Sequence, residues 1–169
     1  WTPAEGEDGT LVEPGHQFEW AWLLTRYGRS RGDERVLAAA TGLYAAGRRG
    51  IAGHPRIAID ALNTDGTIRS RQARLWPQTE WLKAALILAE TASPNDRSGL
   101  LTDAASALDA LWLYLTPDGL WHDKHLPDGG FVGEPAPASS FYHIMAGFQQ
   151  LAASWSTVVD DDKARMTLA

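Results

Sequence analysis

Histidine and glutamate side chains of the kind used in proton transfer stand at the starts of three apolar segments. The first segment, residues 14–20 (PGHQFEW), carries His16 and Glu19, which share one face of a helix because they are three residues apart. A carboxylate next to an imidazole fixes the orientation of the ring and raises its basicity, which suits general acid/base chemistry near neutral pH. The same pair is also typical of a helix cap, and a zinc site would need further ligands.

The second segment, residues 74–81 (RLWPQTEW), places Glu80 early in a helix that is apolar on almost all sides. A buried carboxylate needs a partner or a polar cavity, because an unpaired charge is costly in an apolar surrounding. Glu80 therefore caps the helix, pairs with Arg74 or lines a cavity. Trp76 either belongs to the core or stacks on a sugar ring, and the Gln78 amide can exchange hydrogen bonds with hydroxyl groups.

The third segment, residues 137–144 (PASSFYHI), places His143 in the first turns of another helix, where a single histidine is commonly a core residue. His122 and His125 lie in a long loop over residues 117–137, and we expect them to be solvated side chains rather than metal ligands. The sequence shows no glycine-rich phosphate loop and no Ser/His/Asp order.

Hydrophobic periodicity predicts five helices that position these side chains, over residues 16–27, 33–48, 77–92, 96–115 and 139–158. Asp33 is the predicted N-cap of the second helix. Alternating residues on either side of Asp65-Gly66 predict a short hairpin formed by residues 57–63 and 67–68.

The three polar-tipped helices recur in phase with an Asp-Gly pair. The glycines of these pairs, Gly9, Gly66 and Gly119, are separated by 57 and 53 residues, which indicates an array of helical hairpins. The first, third and fifth helices are apolar beyond their tips, so they should be inner helices, and the second and fourth, with one apolar stripe each, outer ones. Closing such a row gives an all-α α/α toroid with the polar tips around one cavity, and five helices make about half of the ring.

Composition limits the classes of function. The 169 residues correspond to about one domain, and the net charge of −6 disfavours nucleic acid as a partner. The absence of cysteine excludes thiolate nucleophiles and Cys-ligated zinc, and it is consistent with a cytoplasmic protein. The sequence contains no run of about 18 apolar residues, so it predicts no membrane-spanning helix. The sequence opens at Trp1 in a loop-like stretch, so we expect residues 1–158 to be part of a larger barrel and residues 159–169 to be an acidic tail.

The three segments, in this order and spacing, resemble the N-acylglucosamine 2-epimerase family, which includes aldose–ketose isomerases that act on mannose and related sugars. The resemblance spans nearly the whole chain but only the C-terminal portion of a family member, and it implies an (α/α)6 barrel. It implies that His16 and His143 are the acid/base pair, that Glu19 orients His16, and that Glu80 binds or polarises the substrate. We also expect four substrate-binding side chains: Trp20, Arg74, Trp76 and Gln78.

The implied reaction is isomerisation of the mannose–fructose type or 2-epimerisation, by proton transfer through a cis-enediol, and it needs no metal or other cofactor. The expected partners are a small sugar and the remainder of the same polypeptide or a second copy; no nucleic acid and no membrane are expected. Two alternatives stay open at this point. One is an α/α-barrel glycoside hydrolase that uses Glu19 and Glu80 as paired carboxylates, and the other is a non-catalytic interaction domain that exposes apolar helix faces.

Overall fold

A computed structural model describes the backbone of residues 4–166 and the side chains of residues 4–156 except that of Asp8. Five helices dominate it: α1 (Pro14–Arg31), α2 (Glu34–Arg48), α3 (Leu75–Ala89), α4 (Pro94–Tyr114) and α5 (Ser140–Met166). Seven strands of two or three residues connect them: β1 (Leu11–Val12), β2 (Ile51–Ala52), β3 (Ile57–Ala58), β4 (Ala61–Asn63), β5 (Ile68–Ser70), β6 (Ala73–Arg74) and β7 (Lys124–His125). The chain is therefore mainly helical, as predicted, with short strands in its connections.

Local signals account for the helix starts. The Asp33 carboxylate accepts hydrogen bonds from the first backbone N–H groups of α2, which confirms the predicted N-cap. Ser93 caps α4 in the same way and starts it two residues before the predicted position. The backbone N–H of Leu75 donates to the carbonyl of Asp123, which satisfies a donor in the first turn of α3 and lets this helix begin before Pro77.

The predicted division into inner and outer helices is confirmed for the described residues. Helix α3 packs between α1 and α5, while α2 packs on α1 and α4 packs on α3. Nearly every residue of α3 is buried, as expected for a helix covered on several sides. The inner helices run parallel, because Trp76 at the start of α3 contacts the starts of α1 and α5, and Glu90 just after α3 binds Arg29 near the end of α1 and Ser154 further along α5.

The strands hold the connections against the starts of the inner helices. The predicted hairpin around Asp65-Gly66 exists as β4 and β5, but β3 pairs with β2 instead, and β1 adds to β4. Strand β7, from the long loop over residues 117–137, pairs with β6 directly before α3. In that loop the expectation of solvated histidines is wrong: the rings of His122 and His125 are half-buried and pack on Phe131, at centroid distances of 4.4 and 5.1 Å.

Helix α5 continues to Met166, eight residues beyond its predicted end, so the acidic residues at 160–162 have a helical backbone. Their side chains, and all of residues 167–169, lie outside the described residues, and the predicted separation of an acidic tail at 159–169 stays a prediction. Among the described residues, no helix is both long enough and apolar enough to cross a bilayer.

Candidate active site

The start of α1 presents His16 together with a carboxylate that sequence reasoning missed. The Nδ1 atom of His16 lies 2.8 Å from Oε2 of Glu13, the N-cap residue of α1. The other oxygen of Glu13 accepts a hydrogen bond of 3.1 Å from the Arg74 guanidinium. The prediction that Glu19 orients His16 is therefore corrected: Glu13, three residues on the other side of the histidine, holds the ring. The identical spacing of the two glutamates was the available signal.

Trp76, in the first turn of α3, links the two histidines. Its ring centroid lies 5.0 Å from that of His16 and 5.7 Å from that of His143. A Cβ atom on Gly15 would lie 2.5 Å from the Trp76 ring, so only glycine at this position lets the indole approach the start of α1 so closely. Trp76 is half-buried between the two histidines, and its predicted role in substrate binding stays a prediction.

Glu80 and His143 meet at the interface of α3 and α5. Oε1 of Glu80 lies 2.9 Å from Nδ1 of His143, with the carboxylate fully buried and the imidazole 21% exposed. Lys83, one turn further along α3, places its Nζ atom 2.8 Å from Oε1 and 2.7 Å from Oε2 of Glu80. The ammonium thus lies across both carboxylate oxygens. The sequence analysis did not single out Lys83, because one lysine in an apolar helix gives no sign of which way it points.

Arg74 lies beside this cluster but is held by two carboxylates. It pairs with Glu13 and, at 3.3 Å, with Asp60, and its guanidinium stands 5.5 Å from the centre of the Trp76 ring. Burial raises the pKa of the Asp60 carboxyl, and hydrogen bonds and charge from Arg74 oppose that effect. Arg74 therefore belongs to the site, where it fixes Glu13 and, through Glu13, His16.

Gln78 is a correction to the predicted substrate-binding set. Its side chain is fully buried, and its Oε1 accepts a hydrogen bond from the backbone N–H of Ala58. Its Nε2 donates to the backbone carbonyls of Ala58 and Arg74. Both donor positions and the acceptor are used within the protein, so the Gln78 amide fastens β3 to α3 and is not presented to a ligand.

Trp20 and Glu19 complete the predicted set. Trp20 is 54% exposed and stands one turn after His16, on the same side of α1. Glu19 is half-buried and lies one residue before it, without being the carboxylate that contacts the His16 ring. Of the eight predicted side chains, the contacts join five in one cluster: His16, Arg74, Trp76, Glu80 and His143.

The arrangement is suited to moving protons. In both imidazoles Nδ1 faces a carboxylate, so when Nδ1 carries the proton, Nε2 is left to take up or release another. The aromatic ring between them supplies an apolar surface that can lie against the carbon face of a sugar. Clefts of about 440 Å³ and 520 Å³ lie elsewhere, and neither is lined by the histidines of this cluster. Among the described residues, no group of three or more potential ligands could hold a metal ion.

Comparison with known proteins adds a family to this geometry. The family model described as N-acylglucosamine 2-epimerase matches residues 1–147. A mannose-6-phosphate isomerase of Rhizobium meliloti (strain 1021) is 44% identical over 154 residues, which cover 89% of this chain and 40% of that protein. The chain thus spans about 40% of the length of this relative.

Solved structures share the fold at low sequence identity. A D-mannose isomerase superposes with a TM-score of 0.74 and 19% identity, over 84% of this chain and 37% of that one. The cellobiose 2-epimerase of Spirochaeta thermophila DSM 6192 superposes with a TM-score of 0.73 and 20% identity, over 86% of this chain and 39% of that one. The cellobiose 2-epimerase of Bacillus thermoamylovorans B4167 superposes with a TM-score of 0.77 and 9% identity, over 87% of this chain and 40% of that one. With most of its length matched by the family model, the chain belongs to the N-acylglucosamine 2-epimerase family.

Proposed function

We propose that the protein carrying this chain is a cofactor-independent sugar isomerase or epimerase that transfers protons with His16 and His143. One observation carries the proposal: both imidazoles contact the same indole, and each has a carboxylate at Nδ1. A hydrophobic core has no need for two histidines held in this way, whereas a proton-transfer site requires oriented rings. Membership of a family named for sugar epimerisation supports the same reaction class.

The proposed chemistry begins with opening of the sugar ring, in which a proton moves from the C1 hydroxyl to the ring oxygen. One imidazole then removes the proton on C2 at its Nε2 atom, and the electron pair forms the C1–C2 double bond of a cis-enediol as the carbonyl oxygen gains a proton. Return of a proton to C1, with loss of the C2 hydroxyl proton, gives the ketose. Return of a proton to C2 from the opposite face, with loss of the C1 hydroxyl proton, gives the epimer. General acid/base assistance of this type contributes about 10²- to 10⁴-fold to the rate for each group.

We further propose that the complete fold is an (α/α)6 barrel of which this chain supplies about half. Three inner and two outer helices, with the inner helices parallel, support this arrangement. The side of α1 that carries Trp20 also exposes Leu23 and Tyr27, and α5 exposes Tyr142 and Trp155, which are apolar surfaces suited to further barrel helices. On this proposal the isolated 169 residues are inactive, since the cavity lacks the remainder of its wall.

A glycoside hydrolase based on Glu19 and Glu80 receives less support from the geometry. Glu80 is fully buried, and Lys83 and His143 occupy its carboxylate. A hydrolase needs two carboxyl groups that reach opposite sides of a glycosidic bond, about 5 to 10 Å apart and open to the substrate. Glu80 has no exposed oxygen with which to do this.

Proton exchange in D₂O tests the proposal directly. The whole protein is incubated with mannose, glucose and N-acetylglucosamine, and deuterium at C1 and C2 is followed by NMR. We expect exchange with at least one of these sugars, and we expect His16→Ala and His143→Ala to abolish it while the helical CD signal is kept. Exchange that persists in both variants, or release of reducing sugar from a glycoside without exchange, would overturn the assignment.

A further inference from the structure

Lys83 is a buried cation that the proton-transfer scheme does not use. Its side chain is 2% exposed, and its Nζ atom contacts both oxygens of Glu80. On its other side, Nζ lies 4.3 Å from the centre of the Trp22 ring of α1, within the range of a cation–π contact. Lys83 therefore bridges two of the inner helices and touches the carboxylate that holds a proposed catalytic histidine.

Burying a lysine is costly, so its position calls for a physical reason. An ammonium group loses its hydration when it is buried, and apolar side chains of similar size commonly stabilise a core better than an ion pair does. Among the described residues, the Nζ atom of Lys83 contacts the Trp22 ring and the Glu80 carboxylate, whose negative charge matches that of the ammonium group. Any functional effect of the Lys83 charge should therefore act through the Glu80 carboxylate, which also contacts His143.

A charge on the Glu80 carboxylate bears on whether the neighbouring His143 imidazole holds one proton or two, because the two groups are in contact. An ionised carboxylate without a cation, buried beside an imidazole, favours the doubly protonated ring, because the imidazolium is then the only available counter-charge. A ring locked in that form cannot remove a proton from carbon. When the Lys83 ammonium supplies the counter-charge, the Glu80 carboxylate still accepts the Nδ1 hydrogen bond, but it no longer favours a positive charge on His143.

We propose that Lys83 is a positioning residue that acts through Glu80 to keep the His143 ring neutral, with its proton on Nδ1 and its lone pair on Nε2. This inference rests on the proposed proton-transfer function for its kinetic consequence. Its structural consequence, the protonation state of one ring, is independent of the substrate. Lys83 itself does not touch the reacting atoms; it is separated from His143 by the Glu80 carboxylate.

A double-mutant cycle with Lys83→Met and Glu80→Gln tests the proposal. Methionine keeps the length of the side chain and removes its charge. In the whole protein we expect Lys83→Met to lower kcat at least tenfold with a change in KM below about threefold, a fraction of the 10²- to 10⁴-fold that an acid/base group supplies. In the Glu80→Gln background, Lys83→Met should change kcat less than about twofold, since the carboxylate through which Lys83 acts is absent. Equal losses in the two backgrounds would refute the proposal.

The ¹⁵N shifts of His143 supply a readout that a purely structural role would not move. Near neutral pH and without sugar, we expect the unmodified protein to show one protonated and one unprotonated nitrogen, and Lys83→Met to show the imidazolium pattern. Lys83→Arg, which retains the charge, should restore the neutral pattern. An identical spectrum in the unmodified protein and the Lys83→Met variant overturns the inference even if kcat falls. Sugar exchange absent from the unmodified protein would instead refute the proposed function and leave the NMR result to decide the role of Lys83.

Discussion

The Oε2 atom of Glu13 lies 2.8 Å from Nδ1 of His16, although α1 begins between these two residues. Side chains on a helix lean toward its N-terminus, so a histidine in the first turn reaches back to the residue three positions before it. The Arg74 guanidinium fixes the far side of the same carboxylate. The ring of His16 is thereby oriented by Glu13, which precedes the helix, and Glu13 is in turn held by Arg74 from the strand that leads into α3.

Glutamine substitutions at the two candidate glutamates separate their roles. Glu13→Gln removes the charge beside His16, and we expect kcat of the whole protein to fall about 10- to 100-fold, which is at or below the lower end of the 10²- to 10⁴-fold that one acid/base group contributes. Glu19→Gln is the matched control, with the same chemical change three residues on the other side of the histidine, and it should alter kcat less than about threefold. Steady-state kinetics with the sugar that exchanges fastest provide the measurement, and a larger loss in Glu19→Gln would restore Glu19 as the orienting residue.

Gln78 should matter for stability and not for substrate affinity. Gln78→Ala leaves the backbone N–H and C=O of Ala58 without their partners in a fully buried position, and each unsatisfied group costs about 1–3 kcal/mol. We therefore expect a free energy of unfolding lower by about 2–4 kcal/mol in urea titrations, with KM unchanged.

Gln149→Ala, at an exposed position of α5, is the control for Gln78 and should change the free energy of unfolding by less than about 0.5 kcal/mol. A variant at Gln78 that keeps its stability and raises KM would show instead that the amide meets the substrate.

Gly15→Ala tests the close approach of α1 to Trp76. The added methyl group would overlap the indole ring, which lies 2.5 Å from the ideal Cβ position, so the ring must shift from its place between His16 and His143. We expect kcat/KM to fall at least tenfold, because small displacements of positioning groups are costly for catalysis. Gly42→Ala is the control: it lies in α2 with open space around its Cβ position, and it should stabilise the protein by up to about 1 kcal/mol. Full activity in Gly15→Ala would show that the position of Trp76 is not critical.

The helices and the cluster of histidines were accessible from the sequence for identifiable reasons. Apolar periodicity depends on local spacing alone, and the cap at Asp33 is a local signal too. The partners of the site residues were not accessible, because they come from other elements. Gln78 binds the backbone of β3, a two-residue strand with no sequence signature of its own, and Lys83 turns inward because Glu80 and Trp22 are there to receive its charge. The direction of side chains at the start of α1 determines that Glu13, and not Glu19, contacts the His16 ring. Sequence spacing could not distinguish the two glutamates, because each lies three residues from His16.

His125 gives the protein a component of acid sensitivity. Burial against Phe131 lowers the pKa of the His125 imidazole, with the charge of Asp128 opposing the shift. Because its pKa in the folded state lies below the value of about 6.5 in an unfolded chain, the unfolded state binds more protons as the pH falls. The stabilising contribution of the neutral ring is complete above about pH 6.5 and is lost as the pH falls from there toward the pKa of the folded state.

We expect His125→Gln to lose less stability than the unmodified protein between about pH 7.5 and 5.5 in urea titrations at a series of pH values. The comparison concerns the slope with pH, since the glutamine also changes the packing on Phe131. His54→Gln, at an exposed turn, should leave the slope unaltered, and an equal slope in His125→Gln would show that the buried imidazole makes no contribution.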